Sequence, residues 1–476
     1  MSLIKSISGI RGTIGGQAGL GLTPIDIVKF TYAYCHTLPQ RKAAPNNGKK
    51  YKIVVGKDGR ISGSMVEQLV CGTLIASGVD VVKCGYASTP TTEMAVKFAN
   101  ADGGIILTAS HNPRQWNALK LLNEEGEFLT AAQGKTILDL AETDNFDFAP
   151  VDELGTMTEH DFTQEHLEAV LNLDTVDCEA IRKAGFKVVV DAINSVGADI
   201  MPKLLEKLGV ECILLNGEIT GDFAHNPEPL PQNLIDLSKA VTANHADLGI
   251  SVDPDVDRLA LICENGEPFV EENTLIAVAD YLLDKAKANG NTKLRTVSNL
   301  SSSRGLRDVT EAHGGTYYAA AVGEVNVTTK MHEVDALIGG EGNGGVIYPS
   351  IHSGRDAMVG VALFLSHIAH KGIKVSEYKK TLPEYYIDKN RIELTDKNLA
   401  EKILEVVKEH YKNEKVNALD GVKVDFEDER KWVILRRSNT EPIIRVYSEA
   451  PTMEAAKALS NEVIAIASTI INNSIK

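Results

Sequence analysis

Short apolar runs recur along the first three quarters of the chain, each followed by a polar loop and a helical pattern. These runs begin at Tyr51, Lys187 and Thr296, and a second apolar strand follows each helix, at 79–82, 211–215 and 316–320. Units of strand, helix and strand predict parallel strands joined by right-handed crossovers. The pattern therefore predicts an α/β fold with three similar mixed-sheet α/β domains.

After each unit, another apolar strand ends in an unusual polar loop. The strands at 105–107, 248–252 and 336–338 lead into TASHNP at 108–113, DPDVDR at 253–258 and GGEGNGG at 339–345. Ligands of open α/β sheets bind beyond the carboxyl ends of the strands. We therefore expect each of the three domains to contribute one loop to a common central cleft.

The last hundred residues have a different pattern. We expect a connector over 382–392, an amphipathic helix over 398–411, short strands over 421–445 and a closing helix over 453–471, which together form a smaller C-terminal α+β domain. The expected domains are 1–155, 156–262, 263–378 and 379–476. Near the start, Thr23 and Pro24 predict the N-cap and first residue of a helix that reaches about Leu38, with a loop over 39–50.

The composition is that of an acidic globular protein. Over 476 residues the formal net charge is −16, which argues against nucleic acid or an anionic membrane as a partner. The six cysteines are scattered without a CxxC pair, so reduced thiols are expected rather than disulfides or a zinc site. The chain shows no signal-peptide core and no apolar run of roughly 18 residues. We expect a cytoplasmic protein that binds a small molecule, and its oligomeric state stays open.

Ser110 lies in TASHNP, directly after a buried strand and next to His111. A serine at such a strand end beside a histidine is a candidate nucleophile. Pro113 fixes its own φ and keeps Asn112 out of the helical region, so the loop is expected to be extended and stiff. The alternative is a surface turn in which the serine bonds only local backbone.

Three aspartates alternate in the second loop, at Asp253, Asp255 and Asp257. Carboxylates at i, i+2 and i+4 can converge on one hard cation, which predicts a Mg²⁺ site. The alternative is an EF-hand, with Glu264 in the place of its bidentate glutamate. Arg258 in the place of the EF-hand glycine, and the strands predicted on both sides of the loop, favour the Mg²⁺ site.

Two further loops have the chemistry of a sugar-phosphate site. In the third loop, Glu341 and Asn343 can bond sugar hydroxyls, and the glycines around them allow close approach. In the last domain, the segment 436–442 offers guanidinium groups, hydroxyls and turn amides that suit a phosphate dianion. The alternatives are an ordinary glycine turn and an exposed turn with two arginines.

The four loops together resemble those of one family, the α-D-phosphohexomutases. Its members share a TASHNP-type phosphoserine loop, a DxDxDR metal loop, a GExxG-type sugar loop and an R-x-S-[NG]-T-x-P phosphate loop, and all four occur here in that order. The segments SGIRG, GKDGR and 223–229 also match, so the resemblance spans nearly the whole chain. It implies four domains around a central cleft, each contributing one of these loops.

The resemblance also implies an activity, an isomerase that moves phosphate between O1 and O6 of a hexose phosphate. The intermediate, which also serves as activator, is a hexose 1,6-bisphosphate. Ser110 would carry the phosphate in the resting enzyme and, with Asp253, Asp255 and Asp257, would hold Mg²⁺. The implied substrate-binding residues are Arg258, Glu341, Asn343, Arg436, Ser438, Asn439 and Thr440.

Four charged residues match the catalytic centre of the family, namely Arg11, His111, Lys120 and Arg258. Lys120 is the preferred candidate for general acid–base work, with a pKa lowered by neighbouring cations. Simple attraction of phosphate by Lys120, without proton transfer, is the alternative. His111 is a supporting candidate.

One position departs from the family. Many bacterial relatives have a histidine, in GExSGH, where this chain has Gly345. The Asn-Gly-Gly form resembles archaeal-type phosphoglucosamine mutases, which favours interconversion of glucosamine 6-phosphate and glucosamine 1-phosphate. Within the class, a phosphomannomutase or phosphoglucomutase is the alternative. Outside it, the alternatives are a sugar-phosphate hydrolase and an inactive phosphosugar-binding protein.

Overall fold

The computed structural model describes residues 2–6, 9–41, 50–143, 145–394, 399–438 and 442–475. Its first sheet is built from β1 (Leu3–Ser6), β2 (Gly9–Thr13), β3 (Lys52–Lys57), β4 (Asp80–Tyr86), β5 (Gly103–Leu107), β6 (Trp116–Leu122) and β7 (Met157–Glu159). The spatial order of these strands is β1-β2-β6-β5-β3-β4-β7. Four helices accompany the sheet, α1 (Pro24–Arg41), α2 (Gly63–Ala76), α3 (Thr89–Phe98) and α4 (Ala131–Ala141).

Two four-stranded sheets follow. The second sheet and its helices comprise α5 (Thr163–Leu171), α6 (Cys178–Ala184), β8 (Lys187–Asp191), α7 (Gly197–Leu208), β9 (Glu211–Leu215), α8 (Ile235–Ala243), β10 (Leu248–Val252) and β11 (Leu259–Cys263). The third comprises α9 (Glu271–Ala288), β12 (Arg295–Asn299), α10 (Gly305–Ala312), β13 (Thr316–Ala320), α11 (Glu324–Val334), β14 (Ile338–Glu341), β15 (Gly345–Ile347), α12 (Ala357–Lys371) and α13 (Val375–Lys379).

The three sheets share one topology. In each, a central strand (β3, β8 or β12) pairs in parallel with the next strand on one side and with the third strand on the other. A fourth strand then pairs antiparallel with the third, as β6 with β5, β11 with β10 and β15 with β14. This confirms the three similar mixed-sheet α/β domains. It also shows that the three candidate loops are the same connection in each repeat, the turn between the third and fourth strands.

The fourth sheet is entirely antiparallel. It is formed by β16 (Tyr386–Glu393), β17 (Lys415–Asn417), β18 (Val422–Phe426), β19 (Lys431–Arg437) and β20 (Ile443–Ala450), with the helices α14 (Leu399–His410) and α15 (Met453–Ile475). The strand order is β16-β20-β19-β18-β17. The smaller C-terminal α+β domain is therefore confirmed. The predicted helix over 398–411 corresponds to α14, except that residue 398 lies outside the described residues.

Two expectations from the sequence are wrong in part, one about a connector and one about the end of a helix. The stretch 382–392 is not only a connector, because β16 pairs with β20 along eight residues. As an edge strand it buries few side chains, so it lacks an apolar run. The helix α1 has the expected start, with the N–H of Asp26 bonded to Thr23 Oγ1 at 3.4 Å, but it continues through Pro39 to Arg41. A proline this close to a helix end removes only one backbone bond. Residues 42–49 of the expected loop lie outside the described residues.

A strand also lies in the SGIRG segment near the start. Only Ile10 is apolar in β2, so the hydrophobic pattern does not reveal it. Its pairing with β6 places Arg11 opposite Ala118, close to the loop that carries Ser110.

The hydrophobic cores do not correspond one to one with the four sheets. One continuous cluster of buried side chains extends from Leu167 to Leu382 and joins the second and third sheets through α12. The first sheet and the fourth sheet have separate main clusters of their own. Within the described part of the chain, no helix has both the length and the apolar character needed to cross a membrane.

Candidate active site

A cavity of about 600 Å³ is lined by residues of the first three sheets' loops and by strands of the fourth sheet. This volume is in the range of small-molecule sites, roughly 300–1,000 Å³. Most of the residues predicted from the sequence meet there. Those that line it are Arg11, Ser110, His111, Lys120, Arg258, Glu341 and Asn343. Among the described lining residues, four arginines and two lysines outnumber four glutamates, which suits an anionic ligand.

Ser110 occupies an unusual backbone conformation at the wall of this cavity. Its φ is +49°, in the left-handed region that residues other than glycine seldom adopt, and the residue is only 3% exposed. Its N–H is bonded to Thr108 Oγ1 at 2.9 Å. Its Oγ donates to Asp253 Oδ2 at 2.7 Å and lies 3.3 Å from Nδ1 of His111. The alternative of a surface turn serine is therefore wrong, because its hydroxyl is buried and faces an aspartate.

Arg60 holds the loop of Ser110 in place. This buried guanidinium donates to four backbone carbonyls, those of Ser110, Asn112, Pro113 and Trp116. Its Nε bonds Asp58 at 3.1 Å, and the same carboxylate accepts the hydroxyl of Thr108. In the sequence, GKDGR is only a segment that matches the resembled family. In the structure, its last residue, Arg60, fixes the loop that carries Ser110.

The three aspartates of the second loop converge. Each is fully buried, and each has a carboxylate oxygen within 4.8 Å of those of the other two. Asp253 Oδ1 accepts the backbone N–H groups of Asp257 and Arg258, at 3.2 and 3.1 Å. Asp255 Oδ2 accepts from Lys120 Nζ at 2.7 Å. The second oxygens, Oδ1 of Asp255 and of Asp257, accept no hydrogen bond from any described residue.

These two unbonded oxygens fit a cation. Burial, together with the charges of Asp257 and Asp255, raises the pKa of Asp253 well above its usual range. Burial also acts to raise the pKa of Asp255, but Lys120 outweighs it and the net pKa is lowered. The three side chains bring only carboxylate oxygens together, which is the donor set that Mg²⁺ prefers. The predicted metal residues Asp253, Asp255 and Asp257 thus lie together, and their role as ligands stays a prediction.

The EF-hand alternative does not fit. The loop is flanked by the strands β10 and β11 rather than by helices. Glu264 bonds the backbone N–H and the hydroxyl of Ser376, at 3.0 and 2.5 Å, and is not part of the acidic cluster.

The expected pKa of Lys120 is wrong in direction. Burial lowers it, but the carboxylates of Asp255 and Asp257, 2.7 and 3.4 Å from Nζ, more than compensate and raise the pKa of Lys120. Lys120 is therefore a charged group in this arrangement. By contrast, burial, then Arg258 and Arg11, lower the pKa of His111 well below its usual value, so this imidazole is neutral.

Glu341 lies at the end of β14, inside the strand rather than in the loop that follows. Its Oε1 accepts from Asn299 Nδ2 at 2.8 Å, and its Oε2 accepts from Asn343 Nδ2 at 3.4 Å. Burial acts to raise the pKa of Glu341, but Arg355 outweighs burial and lowers it. Glu341 is thus a fixed carboxylate facing the cavity.

No motif in the sequence marks Arg355. This buried arginine binds Asp257 through Nη2 at 2.7 Å, Glu341 through Nη1 at 2.9 Å and Glu324 through Nε at 3.0 Å. It therefore joins the metal loop to the sugar loop. The sequence offers only a weak signal, an isolated charged pair directly before the apolar helix α12.

The departure at Gly345 follows from the position of Arg355. A Cβ at Gly345 would lie 2.2 Å from Cδ of Arg355. A histidine there would displace this arginine, and the absence of a side chain at Gly345 leaves room for it. Next to Gly345 the chain therefore has Arg355 with its ion pairs, and not a second proton-transfer group.

Only part of the predicted phosphate loop, residues 436–438 and 442, lies within the described residues. Arg436 is not among the lining residues, and its Nε binds Asp420 at 2.7 Å. Ser438 is buried, with its N–H bonded to the carbonyl of Ile443 at 3.0 Å. The predicted Asn439 and Thr440 lie outside the described residues. From the fourth sheet the lining residues are Lys389, Arg445 and Tyr447.

Comparison with known proteins gives matches over nearly the whole chain. Profiles of the family described as phosphoglucomutase/phosphomannomutase match in four successive stretches. Alpha/beta/alpha domains I, II and III match residues 3–148, 164–266 and 271–386, and the C-terminal domain matches 391–466.

Two curated relatives and one solved structure illustrate the similarity. A phosphoglucomutase/phosphomannomutase of Thermococcus kodakarensis is 36% identical over 451 residues, which cover 94% of this chain and 95% of that protein. A probable phosphoglucosamine mutase of Pyrococcus horikoshii is 32% identical, covering 89% of this chain and 91% of its own. A phosphoglucomutase/phosphomannomutase family protein of Burkholderia thailandensis has the same fold, with a TM-score of 0.83, 23% identity and coverage of 98% and 97%.

Proposed function

The chain belongs to the phosphoglucomutase/phosphomannomutase family, and on this premise we propose that it is an isomerase that transfers phosphate between O6 and O1 of a hexose phosphate. One observation carries the proposal. Ser110 Oγ lies 2.7 Å from a metal-loop carboxylate, beside two buried carboxylate oxygens that accept no hydrogen bond from a described residue. A nucleophile at a cation site is the arrangement that phosphoryl transfer needs.

In the first half of the proposed reaction, phosphorylated Ser110 donates its phosphoryl group to the free hydroxyl of a bound hexose phosphate. The bond from phosphorus to Oγ breaks, a bond from phosphorus to the sugar oxygen forms, and the hydroxyl loses its proton. The product is a hexose 1,6-bisphosphate. After this intermediate turns over in the cavity, its other phosphate returns to Ser110, and a hexose phosphate with the phosphate at the new position leaves.

The residues around Ser110 support different parts of this transfer. Lys120, held in the charged form by two carboxylates, offers positive charge to the phosphoryl group and can donate a proton. The neutral imidazole of His111 has Nδ1 at 3.3 Å from Ser110 Oγ and can accept one. Arg60 keeps the loop from moving while bonds to phosphorus change, which preserves the attack geometry.

We further propose Mg²⁺ as the ion, with Ser110 and its phosphate, Asp253, Asp255 and Asp257 as its ligands. The fit rests on an all-oxygen donor set and on the two unbonded oxygens. When bound, the ion would neutralise charge on the transferring phosphoryl group.

The proposed substrate is glucosamine phosphate, interconverted between the 6- and 1-phosphates. The loop with Asn343 and without a histidine at Gly345 supports it, as does the name of the Pyrococcus relative. The name of the Thermococcus relative favours the alternative, a phosphomannomutase or phosphoglucomutase. A cytoplasmic location accords with six cysteines that are scattered along the sequence without a CxxC pair, since disulfides are rare in that compartment.

The substrate test is a side-by-side measurement of kcat/KM for the 1-phosphates of glucosamine, mannose and glucose, each with Mg²⁺ and a hexose 1,6-bisphosphate as activator. We expect the highest value for glucosamine 1-phosphate. A higher value for mannose or glucose would overturn the substrate while leaving the mutase intact. Release of inorganic phosphate faster than isomerisation would mean a hydrolase. Binding of all three sugars without any turnover would mean an inactive binding protein.

A further inference from the structure

A second cluster of buried polar side chains lies outside the cavity just described. It brings together Glu93 on α3, His166 on α5, and His352 and Asp356 in the segment that precedes α12. Glu93, His166 and Asp356 are 2%, 0% and 1% exposed. None of the four lines the cavity, and none belongs to the loops that the family resemblance singled out.

The imidazoles of His166 and His352 both direct Nε2 at one oxygen of Asp356. Asp356 Oδ2 lies 2.8 Å from Nε2 of His166 and 3.2 Å from Nε2 of His352. The rings are almost perpendicular, with an interplanar angle of 89°. Two donors thus approach one carboxylate oxygen from different directions.

The other nitrogen of each ring also has a polar neighbour. His166 Nδ1 bonds Thr91 Oγ1 at 2.9 Å, and His352 Nδ1 contacts Glu93 Oε2 at 3.3 Å. Histidines that bind metals almost always use their second nitrogen in this way, on a carboxylate, a carbonyl or a comparable group, because the bond fixes the ring and its tautomer. The pattern around both rings is therefore that of metal ligands with their supporting partners.

The spacing also suits a metal. Two ligand atoms that are each about 2.0–2.1 Å from a tetrahedral zinc ion lie about 3.3 Å apart. The observed separations of 2.8 and 3.2 Å are near this value, and one ligand atom from each of His166, His352 and Asp356 lies within 4.8 Å of the other two. A small shift of the side chains would open a coordination site.

Glu93 provides a further observation at the same cluster. Both of its carboxylate oxygens are buried, and neither has a hydrogen bond of normal geometry from a described residue. The glycine at 354 makes room for this carboxylate, because a Cβ there would lie 1.9 Å from Glu93 Oε2. Two carboxylates are thus buried against two imidazoles, and a divalent cation would neutralise both.

We propose that His166, His352 and Asp356 bind a divalent transition-metal ion of the zinc type, with Glu93 supporting the site through His352. Imidazole nitrogens select such ions and are poor ligands for Mg²⁺, so the two metal sites of this chain would take different ions. The sequence argued against a zinc site only because its cysteines are scattered, and this donor set contains none.

The bound ion would fasten three segments together. Asp356 already caps α12 by accepting the N–H of Met358 at 2.8 Å through its other oxygen. The helix α3 carries Glu93 and also Thr89, whose hydroxyl bonds Asp255 Oδ2 at 2.6 Å. An ion at this cluster would therefore hold α3 against the start of α12 on one side and beside the metal loop on the other.

Cobalt(II) can serve as the probe because it reports nitrogen coordination by visible absorption. The full-length protein is stripped with a chelator, returned to excess Mg²⁺ to occupy the aspartates, and titrated with Co²⁺. We expect one equivalent to bind with visible bands, and Zn²⁺ to displace it. His352→Asn and His166→Gln should abolish these bands, whereas Glu93→Gln should weaken Co²⁺ binding by about 10–100-fold.

Two controls separate this site from others. His332→Asn removes an exposed imidazole that also faces a carboxylate, that of Glu127, and it should leave the titration unchanged. Asp253→Asn alters the aspartate site and should leave the visible bands unchanged. Because His352 is at the rim, with 11% of its side chain exposed, its variant is the one expected to fold if His166→Gln does not.

Thermal unfolding supplies the second readout. We expect Zn²⁺ to raise the Tm of the wild type and to have no effect on the Tm of His352→Asn. The proposal is overturned if Co²⁺ gives no visible bands, if the His352 variant binds it as well as the wild type, or if chelator and Zn²⁺ leave the Tm unchanged. The last result would mean that a proton on His352, not a metal, balances the two carboxylates.

Discussion

The loop that carries Ser110 and the strands that carry Arg436 and Arg445 hold their side chains in different ways. In the transfer region, defined here as residues 108–116 and 253–258, the nucleophile is 3% exposed and the three aspartates are fully buried. In the anchoring region, defined as β16, β19 and β20, Arg445 is exposed and the side chain of Lys389 is 44% exposed. One region is fixed by buried bonds, and the other offers charge on long side chains.

The difference matches what each region is proposed to do. Transfer of a phosphoryl group requires reacting atoms to be held within a fraction of an ångström, and the bonds of Arg60 and Asp253 provide this. Holding the phosphate that does not react requires only positive charge within reach, and it must tolerate a sugar that binds in two orientations. We therefore expect changes in the transfer region to lower kcat, and changes in the anchoring region to raise KM.

The largest effect should come from Asp253→Asn. The substituted side chain can keep its oxygen on the two backbone N–H groups that Asp253 Oδ1 now accepts, so the Tm should change little. Loss of the charge facing Ser110 weakens the cation site, and kcat should fall by about 10²–10³-fold. Turnover at saturating Mg²⁺ measures this. Asp255→Asn is the less clean variant, because it also removes the main partner of buried Lys120. An unchanged kcat in Asp253→Asn would remove the transfer region from the chemistry.

The next effect concerns Arg355, which joins the metal loop to the sugar loop. Arg355→Met would leave three buried carboxylates without their shared cation, which should cost on the order of 3–5 kcal/mol of unfolding free energy. Denaturant unfolding measures it. The matched control is Arg114→Met, which removes an exposed ion pair with Asp222 and should cost about 0–1 kcal/mol. Equal losses of unfolding free energy in the two variants would show that burial of the Arg355 ion pairs does not matter.

A smaller effect is expected in the anchoring region. Arg445→Met should raise KM by about 10–100-fold, the value of one charge-assisted hydrogen bond, and change kcat by less than about threefold. Arg436→Met should raise KM less, because its guanidinium is bound to Asp420 and does not line the cavity. Steady-state kinetics test both. Arg437→Met, on the same strand but exposed and 3.5 Å from Glu401, is the control. A fall in kcat with unchanged KM for Arg445→Met would break the comparison.

The smallest effect is on the docking of the fourth sheet. Burial raises the pKa of Glu427, but bonds from Lys415 and Arg307 outweigh it and lower the pKa to about 2. A carboxyl whose folded pKa is depressed stabilises the fold above its unfolded pKa of about 4.3, and this stability is lost as pH falls towards 2. We expect Glu427→Gln to cost up to about 1 kcal/mol at pH 7 and progressively less below pH 4.

Urea midpoints of wild type and variant across that range measure the effect. Glu409→Gln is the control, since its pair with Lys412 bridges no domains. A difference between Glu427→Gln and wild type that does not shrink on acidification would contradict the charge argument.

The sequence points to Ser110 and the three aspartates because its information there is local. Ser110 and the aspartates follow buried strands directly, and a strand fixes where the next few residues go. The repeated strand–helix–strand pattern likewise predicted three mixed sheets, and it did so although β2 contains a single apolar residue.

What the sequence missed depends on contacts between distant segments. Lys120 was expected to sit among cations, but its nearest charges are Asp255 and Asp257, more than 130 residues away. His166 and Asp356 are separated by 190 residues, and no motif marks either. Lys389 lines the cavity from an edge strand whose polar sequence indicates only a connector. Pair contacts of this kind appear only once the sheets are packed.

The most direct test of the account is the intact mass of the protein after incubation with a hexose 1,6-bisphosphate and Mg²⁺. We predict a population heavier by one phosphoryl group, with the modification mapped to Ser110 and lost on addition of a hexose phosphate. Ser110→Ala should show no such population and no mutase turnover, while Ser77→Ala, which removes a buried hydroxyl that bonds no described residue, should behave as wild type. A Ser110→Ala protein that still isomerises hexose phosphates at the wild-type rate would contradict the account.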